Sequence, residues 1–155
     1  MNKVETKPIF DGTIIRHIKP NRTFSGKQAV DATGRKKHVN DEVVDAMPSG
    51  TEGEMEVHLV PLKLLVPVAS KLEEGLAALG YEMIDPIAAC ALNEVEPELA
   101  DKYPNAVQWK DASGKFCYAI FCRSDWGDGR RVDVYRNVRD WDDNYWFFPC
   151  VRTSS

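Results

Sequence analysis

The spacing of apolar residues changes several times along this chain, and each change marks a different kind of element. Residues 8–20, PIFDGTIIRHIKP, open with an apolar pair, turn at Asp11-Gly12 and continue as a β-branched run closed by Pro20. That is the pattern of a short strand or hairpin. From residue 21 to residue 54 Gly, Ser, Thr, Asn, Lys and Asp dominate, with Phe24, Val30, Val39, Val43 and Val44 scattered among them. So long a stretch without periodicity reads as a peripheral arm, the alternatives being a weak hairpin turning at Ala32-Thr33-Gly34 and partial disorder. Residues 54–61, EMEVHLVP, alternate as a strand with Met55, Val57 and Leu59 on one face and His58 on the other. In the run LKLLVPVASKLEEGLAALG, Pro67 marks a first helical turn, Leu72, Leu76 and Leu79 recur at helical spacing, and Gly80 is the stop. The spacing predicts a helix over 68–79. Asp85-Pro86 opens a shorter one through Ile87 to Asn93, and Glu96-Pro97 repeats the device for a turn or two ending near Tyr103-Pro104.

From Ala106 onward the period is two. Four β-rich runs, beginning at Val107, Phe116, Arg131 and Tyr145, are separated by three short polar connections, which predicts an antiparallel meander. Pro149 in the last run cannot donate to a ladder and suggests an edge strand or a strand end. The fold class expected is therefore α+β. A C-terminal four-stranded antiparallel meander, extended by residues 54–60, packs on one main helix plus short helices, with a β/irregular N-terminal arm. Residues 1–53 form the strand or hairpin and flexible arm, and residues 54–155 the α+β domain, in one folded unit.

Composition agrees with a folded chain: of 155 residues 43% are hydrophobic and 28% charged, far from the signature of disorder. The net charge of −4 hides an asymmetry. Residues 1–50 carry nine Lys and Arg against six Asp and Glu, a net of +3, which leaves −7 for residues 51–155. A dense basic stripe of the kind nucleic-acid binders carry is missing. No apolar run suits a signal peptide or a membrane span, so a soluble, cytoplasmic protein is expected. Cys90, Cys117, Cys122 and Cys150 lack any Cys-x-x-Cys spacing and read as reduced, buried, small hydrophobes.

The chemistry of the chain centres on two similar phrases, Arg-Ser-Asp-Trp-Gly-Asp from Arg123 and Arg-Asp-Trp-Asp-Asp-Asn from Arg139. Asp140, Asp142 and Asn144 have the first three spacings of a calcium loop, but Tyr145 stands where the sharp-turn glycine belongs and Val151 where the bidentate glutamate belongs. Turn chemistry explains these residues better. In a meander the two phrases would lie at opposite ends of the sheet, roughly 25 Å apart, too far to share a metal. The turn at Asp111 would join the second phrase at its end. His17, His38 and His58 have no metal-ligand spacing and no Ser or Cys nucleophile beside them, so a role for His58 depends on a carboxylate from the meander reaching it after folding. The Gly26-Lys27 pair lacks the rest of a phosphate loop.

Aromatic residues carry the stronger signal, because eleven of them lie from Trp109 to Phe148. Alternation sends Tyr145 and Phe147 to one face and Trp146 and Phe148 to the other, so one pair is either covered by the arm or left as a recognition surface. Trp, Tyr and Arg are the residue types enriched in binding hot spots. The candidate binding residues are accordingly Trp126, Arg136, Arg139, Trp141, Tyr145, Trp146 and Phe148, with residues 139–148 as the recognition edge. No catalytic constellation, metal site or cofactor is implied. The expected function is that of a small non-enzymatic binding protein, of the inhibitor, immunity or phage-accessory kind, that occupies a surface of another protein. The alternatives are a metal-dependent hydrolase or phosphodiesterase and a nucleotide or nucleic-acid binding module.

Overall fold

The computed structural model describes residues 14–61, 69–124, 129–136, 141 and 146–153. Among them are eight strands and five helices. The early part runs β1 (Ile14–Ile18), α1 (Gly26–Ala32), β2 (Lys36–Val39), α2 (Asp41–Asp45) and β3 (Met55–Pro61). Next come α3 (Ala69–Ala78), β4 (Tyr81–Met83), α4 (Pro86–Val95) and α5 (Leu99–Lys102). The strands β5 (Asn105–Lys110), β6 (Phe116–Ser124), β7 (Gly129–Arg136) and β8 (Phe147–Arg152) complete the chain.

The helix signals translate directly into structure. Asp85 caps α4 by accepting from Ala88 N, with Pro86 in the first turn. Gly80, which ends α3, has a φ of 85° that a side chain would strain. The arm, by contrast, is structured. Ser25 and Gln28 form a reciprocal capping box at the start of α1, and Asn40 caps α2 by accepting from Glu42 N and Val43 N.

The expected four-stranded meander does not form: all eight strands belong to one mixed sheet of order β1-β3-β8-β5-β6-β7-β2, with β4 pairing β8 off that path. β5, β6 and β7 are antiparallel neighbours as expected. β8, however, does not return beside β7. The free edge of β7 is taken by β2 in parallel, Lys36 opposite Arg131 and Val39 opposite Val134. β8 instead lies in the middle, between β3 on one edge and β5 and β4 on the other. The physical reason is that alternation specifies a strand and its faces but not its neighbours. β2, with the sequence KKHV, has a single apolar residue to announce it.

Two cores follow from the two faces. One face buries Val57, Leu59, Val107, Cys117, Ala119, Phe121, Val132 and Val134 against α1, α2, α4 and α5. The opposite face buries Val60, Ala106, Phe148 and Cys150 against Leu72 and Leu76 of α3 and against Trp141. Three of the four cysteines are buried and all are free thiols; burial pushes Cys90 up to about 12 and raises Cys150 as well.

Pro149 stands in the sheet interior rather than at an edge, and the pairing explains how. Its carbonyl accepts from Ile84 N, just past β4, so its nitrogen also points to that side of β8. Phe147, two residues earlier, donates on the same side to Pro104 O ahead of β5. The proline thus falls where β8 changes partner, the one place on that edge where a missing N–H leaves no ladder bond unmade.

Candidate functional site

The seam at Pro149 opens into a cleft. β5 pairs with β8 at Asn105 opposite Phe147 and then diverges, while β4 occupies the same edge at residues 150–152. The wedge between β4 and β5 encloses about 700 Å³. Tyr81, Glu82, Met83 and Ile84 form one wall, Gln108 and Trp109 the other, and Val151 and Thr153 line it from β8 and the residue beyond. The loop before β3 supplies Pro48, Gly50, Thr51 and Met55, and α3 supplies Glu73 and Ala77.

One ion pair fixes the loop side of this cleft. The Arg22 side chain, 5% exposed, donates both terminal nitrogens to Asp85, at 2.8 and 3.0 Å, and its Nε to Thr51 O at 2.8 Å. Asp85 simultaneously caps α4, so a single carboxylate ties the loop, Arg22 and the helix start together. Space is tight enough that a Cβ on Gly50 would lie 2.7 Å from Asp85 Oδ1 and 3.1 Å from Arg22 Nη2. Glycine is required there by packing rather than by its backbone angle.

The opposite wall is set by aromatic packing. Trp141 Nε1 donates to Gln108 Oε1 at 2.9 Å, and the indole packs edge-on against Tyr118, Trp146 and Phe148. Trp109 lies on the other face of β5 and forms part of the cleft wall. Glu73 and Glu82, both exposed, line the cleft without a hydrogen-bond or ion-pair partner among the described residues. With Arg22 matched by Asp85, the uncompensated charge of the cleft is negative.

A second polar group lies beside it on β3. His58 is buried, with Nδ1 3.2 Å from the Tyr81 hydroxyl and Nε2 2.8 Å from Glu56 Oε2. Arg152 Nη1 donates to the same hydroxyl, and His17 stands 3.4 Å from Glu56. Hydrogen bonds from His58 and then His17 hold the Glu56 carboxyl below its usual range. Both ring nitrogens of His58 are therefore engaged within the protein, and the imidazole is not presented to solvent as a base. Among the described residues no three His, Cys, Asp or Glu side chains converge as a metal would require.

Of the sequence-derived binding residues, Trp126, Arg139 and Tyr145 lie outside the described residues, as do the aspartates of both repeated phrases. Trp141 and Phe148 are core residues, 5% and 2% exposed, and Trp146 is half-buried against Trp141. Arg136 meets Asp111, donating Nε to Oδ2 at 3.0 Å, which brings the β5–β6 turn to the end of β7. Trp141, Trp146 and Phe148 thus pack against one another. The cleft residues Arg22, Gly50, Glu73, Glu82 and Trp109 were not singled out in sequence. The signal that could have drawn attention to the site was Pro149, once read as a seam rather than an edge.

Comparison with models of known protein families, with curated proteins and with solved structures finds no match to this chain. Among the described residues no helix is long and apolar enough to cross a membrane. Function is accordingly argued from the site alone.

Proposed function

We propose that this chain is a soluble, cytoplasmic, non-enzymatic binding protein that occupies a surface of another protein, with the β4–β5 cleft as its contact. The observation that supports this reading is the split in the sheet. A cleft of about 700 Å³ with apolar walls and a few fixed polar groups has the size and lining of a binding site. Around it, His58 is tied up by Glu56 and Tyr81, and the buried thiols are held protonated, so the neighbouring groups serve packing rather than bond-making. The recognition edge at residues 139–148 enters this reading through Trp141, which braces the Gln108 wall from behind.

Filling the cleft tests it. Ala77 and Thr153 are exposed at its margin, so Ala77→Trp and Thr153→Trp should leave the fold intact, as judged by circular dichroism and melting temperature. Affinity capture from host lysate with the native chain identifies the partner by mass spectrometry. The expected result is that both variants lose the partner the native chain captures. Retention by both variants would remove the cleft from the interface. Truncating Trp141 is a poorer test, because it would open a core cavity and confound binding with stability.

A further inference from the structure

We infer that the cleft takes a basic side chain, lysine or arginine, presented by an extended segment of the partner protein. This rests on the cleft being the contact. Charge is the first argument: residues 51–82 contain six Glu and two Lys, a net of −4. Of these, Glu73 and Glu82 line the cleft with no hydrogen-bond or ion-pair partner among the described residues, and Glu52 and Glu54 lie exposed on the loop that closes one side. Arg22 does not offset them, because its guanidinium is spent on Asp85, Thr51 and Ser49. An anionic ligand such as a nucleotide or a nucleic-acid backbone would meet repulsion at this rim.

The walls supply the second argument. Trp109, Met55 and Met83 offer an aromatic ring and two thioethers, surfaces suited to the alkyl stem of a long basic side chain and to cation–π contact with its head. Size supplies the third, since about 700 Å³ exceeds what one side chain fills and admits its flanking residues too. An apolar stem, a cationic head and short flanks on either side match the lining from wall to rim.

The full-length chain, labelled with ¹⁵N, is titrated with three probes: the peptide acetyl-Ser-Leu-Arg-Leu-Ser-amide, the same peptide with citrulline in place of arginine, and spermine. The arginine peptide is expected to saturate and to shift the Trp109 indole N–H and the amides of Gly50, Thr51 and Glu82. The citrulline peptide should bind about tenfold more weakly, and Glu73→Gln with Glu82→Gln should weaken the arginine peptide about fivefold, with the native spectrum otherwise kept. The inference is overturned by absence of saturation with the arginine peptide at millimolar concentration. Equal binding of the citrulline peptide, or spermine binding as tightly as the arginine peptide, overturns it too. If partner capture is lost in Ala77→Trp and Thr153→Trp but survives the double glutamate change, the contact stands and the basic ligand falls; if it survives both tryptophan changes, the contact itself falls.

Discussion

Arg22 is immobilised by every neighbour it has, and that makes it a test of how the cleft is held. Its bidentate pair with Asp85 is largely removed from water, so losing one member leaves a charge uncompensated in a poorly solvated place. Arg22→Met or Asp85→Asn alone should each lower stability by about 3 kcal/mol. The double variant should lose clearly less than the sum, since neither charge is then stranded; urea unfolding of the four chains measures this coupling. Asp111 acts differently, on the surface and through pH. Bonds from Lys115 N, from Ser113 and from Arg136 hold its carboxyl at about 2, below the usual 3.8. A depressed folded value means that its contribution is complete above the unfolded value and is lost as pH falls from about 4 through about 2. Melting temperature in that window should therefore fall more steeply for the native chain than for Asp111→Asn. Parallel curves would show that the turn does not depend on this charge.

At the scale of elements, α1 shows what the sequence displayed and what it hid. Ser25 and Gln28 stand at capping-box spacing in front of Ala29 and Val30, a helix start in plain view. The Gly26-Lys27 pair within the same stretch has only a fragment of a phosphate loop's pattern. The glycine answers to packing: a Cβ there would collide with Val44 O of α2. In an isolated helix Gly→Ala stabilises by about 0.5–1 kcal/mol. Here Gly26→Ala should have the opposite sign and cost about 1–3 kcal/mol, measured by chemical denaturation. A stabilised variant would mean that α1 and α2 pack less closely than this. Strand identity was legible for β3, β5, β6, β7 and β8 because their alternation is long and apolar. β2 was not, because Lys36, Lys37 and His38 carry no such signal and its place depends on the edge of β7. The cleft was hidden for the same reason: it arises from which strands flank β8, and pairing across about 40 to 90 residues leaves no local pattern.

For the whole molecule, the question is whether the first 53 residues are an appendage or part of the frame. β1 pairs β3 along five residues, and β2 covers the edge of β7 along four, so the two ends of the sheet are both supplied by this region. Ile18, Ala29, Val30, Val43 and Val44 are buried in the larger core, against α4 and the strands β5 to β7. Arg35, 6% exposed, donates to the carbonyls of Pro97, Cys122 and Arg131, so its removal would also leave three partly buried carbonyls short of a donor. Five buried aliphatic side chains at about 1–3 kcal/mol each amount to the order of a domain's whole stability. A chain of residues 54–155 should consequently fail to reach a native state, giving poorly dispersed amide spectra, binding of ANS and no cooperative urea transition. Two unpaired sheet edges would add a tendency to aggregate. A cooperative transition and dispersed spectrum from that fragment would show instead that the C-terminal strands carry their own core, and the cleft, whose loop wall hangs on Arg22, could then be tested with and without that wall.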